Sequence, residues 1–253
     1  MSWTNFFQSL AELEADDVFV TGRPGGLAPA LASGIAQDIA TKLNLNSADS
    51  LLDYGSGTGN ITRELCTRVA HTTAAESIPS VIKRGKTGGG RINWVQTGSG
   101  QASFTNKFTK VLSYYNAHMF DNHADLRGHI ETLCRAVSPG GIVMLGDIPD
   151  LERTGQWKSG ERGREENRTV WMGRLERRAL DIERDEVNLE AFNQRLENLG
   201  IHPPCGFGKQ HSGFDRDIVT RMFRENGGEV TVLAQPPEFP QAHTCVDYIA
   251  KIV

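Results

Sequence analysis

The chain has few cysteines, and none are paired at the spacing of a metal or redox motif. Its 253 residues include four cysteines and no C-x-x-C sequence: Cys66, Cys134, Cys205 and Cys245. Scattered thiols of this kind are typical of a reducing compartment. Residues 202–205 (HPPC) and 243–245 (HTC) place histidine near cysteine but lack the paired spacing of a zinc site. The sequence therefore predicts neither a disulfide framework nor a bound metal.

A long apolar run and an excess of charge of one sign are also missing. No stretch approaches the roughly 18–20 apolar residues that cross a bilayer. The first twenty residues carry four acids and lack the basic-then-apolar pattern of a signal peptide. The net charge is −4 and the pI is near 6.0, which disfavours broad electrostatic binding of nucleic acid. We therefore expect a cytoplasmic protein with no membrane and no nucleic-acid partner.

One glycine-rich turn lacks the features of two common nucleotide-binding motifs. Residues 51–62 read LLDYGSGTGNIT: an apolar run ending in an acid, three alternate glycines, then a helix-compatible segment. A dinucleotide fingerprint that began at Gly55 would need a glycine where Asn60 stands. No Gly-Lys-Ser/Thr follows, which excludes a P-loop here. The strand–turn–helix pattern still predicts a nucleotide-like ligand against bare backbone, at the carboxyl end of a parallel sheet.

Strand and helix patterns alternate along the middle of the chain. The apolar spacing predicts strands at 50–54, 72–76, 92–96, 108–115 and 142–145, and helices at 58–69, 78–85 and 122–137. Residues 139–141 (PGG) predict a turn before the fifth strand. This alternation predicts an α/β fold with a doubly wound parallel sheet.

The pattern divides the chain into four parts. Residues 1–47 hold two amphipathic helices that would cap the ligand site, and residues 48–150 form the core. Within the third part, residues 151–213, the stretch 151–200 is strongly charged with both signs while helical apolar spacing persists. We interpret them as a helical insertion, either a lid or an arm through which a homodimer forms; a plain solvated helical pair is the alternative. Residues 214–253 then return to the core with a helix and two strands.

The spacing D-x-G-x-G-x-G that begins at Asp53 resembles the first motif of class I S-adenosylmethionine (SAM)-dependent methyltransferases. The resemblance covers residues 48–147 well and residues 214–253 by pattern only. It implies a seven-stranded, mostly parallel sheet whose last strand is antiparallel. It also implies SAM as cofactor, and we expect transfer of a methyl group to a small-molecule acceptor under a helical lid.

The same resemblance assigns the cofactor-binding residues. Asp53 would orient the glycine turn or meet the methionine amino group, and the Glu76 carboxylate would accept both ribose hydroxyls. Backbone and small side chains that lie against the methionine and ribose would be Gly55, Ser56, Gly57 and Gly59. The adenine would be flanked by Ser77 and Ile78. The family usually has an acid after the third strand; segment 96–102 has none, so Ser99, Gln101 or the backbone would meet the adenine amino group.

The end of the fourth strand, residues 113–118 (SYYNAH), would border the methyl group and the acceptor. Ser113 is expected at the cofactor, and His118 is the first candidate for a general base because its ordinary pKa is near neutral. A structural or solvent-facing histidine is the alternative. Asp147, at the end of the fifth strand, is a second candidate catalytic residue. Tyr114 and Tyr115 would shape the acceptor pocket or simply pack.

Two other functions are compatible with these residues. A nucleotide-dependent oxidoreductase with an aberrant fingerprint would bind NAD. A non-catalytic SAM- or partner-binding protein of the same fold would bind the cofactor without turnover. An N-P-P-Y-type motif is missing at residues 113–116, and this absence supports the expectation of no nucleic-acid substrate.

Overall fold

The structure is a computed structural model that describes residues 3–12, 29–98, 104, 107–116, 119–120, 122–159, 194, 196–201, 213–239 and 242–253. The helices in these ranges are α1 (Trp3–Ala11), α2 (Pro29–Lys42), α3 (Asn60–Leu65), α4 (Pro79–Thr87), α5 (His123–Ala136), α6 (Leu151–Ser159) and α7 (Arg216–Glu225). The strands are β1 (Ser50–Tyr54), β2 (His71–Glu76), β3 (Asn93–Gln96), β4 (Phe108–Tyr114), β5 (Val137–Pro149), β6 (Gly228–Ala234) and β7 (Cys245–Ile252).

The described strands form one seven-stranded sheet in the order β3-β2-β1-β4-β5-β7-β6. Strands β1 to β5 pair in parallel, and β7 lies antiparallel to both β5 and β6. The predicted fold class, a doubly wound and mostly parallel sheet with an antiparallel last strand, is therefore confirmed. Strand order reverses between β1 and β4, and such a switch point is where open α/β sheets bind their ligands.

The strands are apolar on both sides because helices cover both faces of the sheet. Successive residues of a strand point to opposite faces, so each strand feeds two separate cores. Leu51, Leu112 and Met144 join the cluster under α2. Their chain neighbours join the cluster under α5 and α7: Leu52, Val111 and Val143. Continuous apolar runs thus become a three-layer fold.

Two of the flanking helices begin at side chains that cap free backbone N–H groups. The Asn122 carboxamide oxygen accepts from the backbone N–H groups of Ala124 and Asp125, at 2.8 and 3.0 Å. Asp215 accepts from the N–H of Ile218 at 2.9 Å. Such caps stabilise a helix start by about 1 kcal/mol, and the first one fixes where α5 begins beside the end of β4.

Strand β5 begins earlier than the sequence predicts. Residues 139–141 lie inside it as a bulge, since Val137 pairs with Phe108 and the next pair is Ile142 with Lys110. Gly140 lies at the exposed tip of the bulge with φ of +78°. The predicted turn therefore interrupts the strand instead of preceding it. Helix α3 is also shorter than predicted and ends at Leu65.

The N-terminal helices lie in different places. Helix α2 packs on the sheet, whereas α1 contributes Phe6 and Leu10 to a small separate cluster with Leu196 and Ile201. The division into four parts stays a prediction, and residues 160–193 of the proposed insertion lie outside the described residues. Among the helices described, none is long and apolar enough to span a bilayer.

Candidate functional site

A cavity of about 560 Å³ opens at the carboxyl ends of β1, β2 and β4. The glycine turn after β1 and the end of β2 form one half, which we call the cofactor half. The end of β4, the loop after it and one side of α5 form the other, the acceptor half. Thr4 and Phe7 of α1 also line the cavity. The role of the N-terminal helices as a cap stays a prediction.

Gly55 is the most constrained position of the glycine turn. Its φ of +78° lies in the left-handed region, and its backbone N–H donates to the Ala75 carbonyl at 2.8 Å. A Cβ at this position would lie 2.5 Å from the Nδ2 atom of Asn116. Glycine is therefore required here both by backbone conformation and by close contact with the end of β4.

The third glycine of the motif lies against an aromatic ring, and its contact with the cofactor stays a prediction. Gly59 also has φ of +78°, but a Cβ on it would lie 2.9 Å from the Trp94 ring, and it is not among the cavity-lining residues. Gly85 of α4 faces the same ring. Gly59 thus serves the packing of the turn against β3 and α4. Gly55, Ser56 and Gly57 do line the cavity.

Glu76 is buried at the end of β2 and is held by backbone donors. Its Oε2 accepts from the N–H of Gly57 at 3.0 Å, and its Oε1 accepts from the N–H groups of Ser77 and Ile78 at 2.7 and 3.1 Å. These bonds fix the carboxylate against the glycine turn. Glu76, which the sequence predicts to bind the ribose, therefore lies in the cofactor half with Ser77 and Ile78 beside it.

Asp53 lines the cavity from the end of β1 and is buried. The Thr62 hydroxyl donates to its Oδ2 at 2.5 Å. Burial raises the pKa of Asp53 to about 6, because the surroundings disfavour the charged form; the Thr62 hydrogen bond opposes this rise and the nearby Glu76 carboxylate adds to it. A cationic ligand at this end of the cavity would offset that cost.

The residues of the cofactor half fit a ligand such as SAM. The Ser56 hydroxyl is buried and has no hydrogen-bond partner among the described residues, although it belongs to a cavity-lining residue. Buried polar groups are nearly always paired, so this orphan oxygen indicates a polar ligand in the cavity. Together with the Glu76 carboxylate and the Gly55 backbone, it offers hydrogen-bonding groups of the kind a nucleoside and an amino acid require.

Aromatic and neutral side chains dominate the acceptor half. It is lined by Phe7, Tyr114, Tyr115, Met119 and Phe120, with His129 and Thr132 from α5. Tyr115 takes the left-handed conformation with φ of +61°, which is uncommon for a bulky residue. Such strained positions concentrate at functional sites. Tyr114 and Tyr115 thus lie on the cavity wall.

Three polar side chains form a chain of hydrogen bonds on that wall. Asn116 donates from Nδ2 to the Tyr54 carbonyl at 3.1 Å and to the Ser113 Oγ at 3.0 Å. The same Oγ lies 2.8 Å from Nε2 of His129. The imidazole packs against the Tyr54 and Phe120 rings at 5.3 and 4.7 Å between centroids. Burial lowers the pKa of His129 to about 4, so the ring is neutral at physiological pH.

The structure places Asp147 away from the cavity lining. Its Oδ1 accepts from Gln235 Nε2 at 3.0 Å, and its N–H donates to Asp247 Oδ1 at 2.8 Å. Lys42 lies 2.7 Å from Asp247 and links this network to α2. The catalytic role of Asp147 stays a prediction, and the contacts seen here belong to a buried polar network.

Three other predicted residues, His118, Ser99 and Gln101, lie outside the described residues. Sequence reasoning missed His129, and it placed Asn116 only as part of the segment 113–118, without a role of its own. Position 129 follows the buried Leu126 by three residues and precedes the buried Leu133 by four, so helical spacing places it on the inner face of α5. That signal was available for His129. The close approach of Asn116 to Gly55 joins residues that are far apart in the chain, so no local sequence pattern indicates it.

Comparison with known proteins supports the site. The family model for ribosomal RNA adenine dimethylase matches residues 33–142, from α2 to the middle of β5. A search of curated proteins found no match. The family match contradicts the expectation of no nucleic-acid partner. The expectation was wrong because it rested on the net charge. A charge summed over the whole chain does not describe the charge of any one surface.

Solved structures with the same fold are numerous. The N-methyltransferase NodS from Bradyrhizobium japonicum WM9, in complex with S-adenosyl-L-homocysteine (SAH), has a TM-score of 0.54 at 14% identity, covering 98% of each chain. The glycopeptide N-methyltransferase MtfA has a TM-score of 0.56 at 14% identity, covering 88% of this chain and 90% of that one. Magnesium protoporphyrin IX methyltransferase from Synechocystis PCC 6803 has a TM-score of 0.54 at 9% identity, covering 98% and 93%.

At these identities the likeness to solved structures shows the fold. The family model adds a sequence match over the glycine turn and the end of β2, where the cavity and the orphan Ser56 hydroxyl lie. Fold, motif and cavity agree: the chain has the class I, Rossmann-like methyltransferase fold, and the family match together with the SAH-bound neighbour supports a SAM-dependent methyltransferase.

Proposed function

We propose that this methyltransferase is an N-methyltransferase, which transfers the methyl group to an amino nitrogen of its acceptor. SAM supplies a methyl group already activated on a sulfonium. The amine nitrogen uses its lone pair to form the new N–C bond as the S–C bond breaks, and the proton then leaves to water. What the chain must provide is alignment of the two partners and exclusion of water.

The cofactor half supplies the charge complementarity for a cationic cofactor. Its described lining includes the carboxylates of Asp53 and Glu76 and no lysine or arginine. Glu76 is already fixed by three backbone donors, so it would meet a ribose diol without reorganising. The Ser56 hydroxyl is the remaining polar group that such a ligand would satisfy.

The acceptor half carries the argument for nitrogen. The polar side chains that line it beside the aromatic rings are neutral ones, among them Asn116 and His129, and the carboxylate of Asp125 is exposed to solvent. A hydroxyl acceptor needs a base to remove its proton as it reacts, whereas a neutral amine brings its own lone pair. The Nε2 atom of His129 on this wall lies 2.8 Å from Ser113 Oγ and is engaged within the protein. Since an amine does not depend on a base to react, it is the acceptor that fits the described wall best.

The comparisons support the same atom. The matching family model describes ribosomal RNA adenine dimethylases, and adenine is a base that carries an amino group; NodS and MtfA are named as N-methyltransferases. The partly covered cavity, which Thr4 and Phe7 of α1 line on one side, supports a small-molecule amine as the acceptor. The family model supports an adenine amino group in RNA as the second candidate acceptor.

The first experiment is a calorimetric titration of the purified chain with SAM, SAH and NAD. Micromolar binding of SAM and SAH without NAD is expected. Binding of NAD instead would favour the oxidoreductase alternative and overturn the proposal. Glu76→Ala is the matched variant, because it removes the carboxylate without reaching the acceptor half.

The second experiment follows radioactive methyl transfer from SAM to two sets of acceptors. One set contains small primary and secondary amines, including amino sugars, with the corresponding alcohols as controls; the other is unmodified ribosomal RNA. Label on an amine but not on its alcohol supports nitrogen and a small acceptor. Label on an adenine of the RNA supports nitrogen and a nucleic-acid acceptor. Label on alcohols alone would overturn the proposal.

A further inference from the structure

In the hydrogen-bond chain on the wall of the acceptor half, the contacts fix which atom donates and which accepts in each bond. The Asn116 amide is oriented by the Tyr54 carbonyl, which can only accept, so the atom 3.1 Å from it is the donor Nδ2. The second hydrogen of Nδ2 points to Ser113 Oγ at 3.0 Å. Both donors of Asn116 are therefore used within the protein.

The donor and acceptor roles of the Ser113 hydroxyl then fix the role of His129. Its oxygen accepts from Asn116, and its own hydrogen needs an acceptor because the side chain is fully buried. The nitrogen 2.8 Å away, Nε2 of His129, is the partner in place. An Nε2 that accepts leaves the ring proton of a neutral imidazole on Nδ1. The three contacts thus define one tautomer.

The remaining atom of the Asn116 amide is Oδ1, which has no partner among the described residues, and Asn116 lines the cavity beside Gly55. We propose that His129 is a positioning residue, which acts through Ser113 to lock the Asn116 amide so that its Oδ1 accepts an N–H of the acceptor amine. This role rests on the proposed function for its substrate, whereas the lock itself does not.

The neutral state of the ring is part of this arrangement. A protonated His129 would carry a hydrogen on Nε2 and would compete with the Ser113 hydroxyl for the same contact. The ring faces Tyr54 of β1 and Phe120 of the loop after β4, and the titratable groups that share the cavity lining with it are Asp53, Glu76, Asp125 and tyrosines 54, 114 and 115. Burial of the ring keeps it uncharged at working pH.

The lock is tested directly by nitrogen NMR of the full chain labelled with ¹⁵N-histidine, with His129 assigned from a His129→Gln variant. We expect the neutral Nδ1–H tautomer from pH 8 down to pH 5. Ser113→Ala should abolish that preference. Ser80→Ala is the matched control, because it removes a buried hydroxyl with no partner among the described residues and should leave the His129 signals unchanged.

The role in positioning is tested with whichever amine or RNA acceptor the transfer assay identifies. Ser113→Ala and His129→Phe should lower kcat/KM about 10- to 100-fold, as small misplacements of a reacting group do. The Kd for SAH should stay unchanged, because Ser113, although predicted at the cofactor, is not among the residues that line the cavity, and His129 lies in the acceptor half. His129→Gln should restore part of the loss, because its amide can accept from Ser113.

The two proposals fail in different ways. An Nε2–H or protonated His129 in the wild type, or a Ser113→Ala spectrum like that of the wild type, would overturn the lock. A loss of kcat/KM matched by an equal loss of SAH binding would overturn the positioning role. Absence of SAH binding in the wild type would instead overturn the proposed function, and the NMR result would still stand.

Discussion

The two halves of the cavity are built from different chemistry. The cofactor half combines the two carboxylates of Asp53 and Glu76 with backbone donors of the glycine turn. The acceptor half combines aromatic rings with a neutral chain of hydrogen bonds that ends at His129. Under the proposed function, charge would recognise the activated methyl donor, whereas shape and one oriented amide would select the acceptor. Gly55 joins the halves, since it touches Asn116 across the cavity.

The largest effect is expected where the halves meet. Gly55→Ala would add the strain of a left-handed residue, about 1–2 kcal/mol, and a Cβ 2.5 Å from Asn116, which costs about 1–3 kcal/mol more. We expect the free energy of unfolding to fall by about 2–5 kcal/mol in a denaturant titration. Gly89→Ala is the control, because Gly89 has φ of +74° but an added Cβ there meets nothing within 4 Å. An equal loss in both variants would mean that the contact with Asn116 contributes nothing.

The buried carboxyl of the cofactor half should make the wild type less stable as pH rises. The pKa of Asp53 is about 6 in the folded state against 3.8 ordinarily. The unfolded chain therefore loses this proton first, and stability falls between about pH 4 and pH 6 by about 3 kcal/mol. Asp53→Asn should lack this fall in urea titrations across that range. The exposed Asp125→Asn should keep it, and a wild-type curve parallel to that of Asp53→Asn would contradict the expectation.

The buried imidazole of the acceptor half should produce the opposite slope. The pKa of His129 is about 4 in the folded state against 6.5 ordinarily. The unfolded chain gains this proton first as pH falls, so stability drops by up to about 3 kcal/mol between about pH 6.5 and pH 4. Unfolding curves of His129→Gln should lack that acid limb, whereas His71→Gln, at an exposed position, should retain it. Retention of the limb in both variants would assign it to other groups.

The smallest expected effect separates binding from folding in the cofactor half. Glu76→Ala removes the charged acceptor predicted to meet the ribose and should weaken SAH binding by about 1–3 kcal/mol. Glu76→Gln keeps one acceptor oxygen and should weaken it less. Calorimetry with SAH measures both, and thermal unfolding without ligand corrects for the lost bonds to the Gly57 and Ser77 backbone. Unchanged SAH affinity in Glu76→Ala would remove the ribose assignment.

Local sequence patterns predicted the strands of the sheet better than the residues at which the strands begin and end. Apolar runs and glycine punctuation placed all five parallel strands, because a strand buried on both faces must be apolar throughout. The turn at residues 139–141 was assigned from its composition alone, yet it lies as a bulge within β5. Glycine and proline signal that the backbone bends; whether pairing resumes with the same neighbour depends on β4, which is distant in sequence.

The cofactor half was also more predictable than the acceptor half. Asp53, Gly55 and Glu76 lie within one short stretch of chain, so their spacing in the sequence already indicates that they come together. The cofactor contact of Gly59 stays a prediction. What its spacing did not indicate is the close approach of Trp94, which comes from a later strand. In the acceptor half, the helical spacing around His129 indicates only that the residue is buried.

The sequence by itself determined the alternation of strands and helices, the glycine turn after β1 and the carboxylate at the end of β2. These depend on interactions between residues close in the chain, and their signals are local. Only the tertiary structure decided that Asn116 covers Gly55 and that Ser113 reaches His129. It also decided that Asp147 joins Gln235 away from the cavity. Contacts such as these depend on how distant elements pack, because a side chain's partner is fixed by the distance between elements and not by its position in the chain.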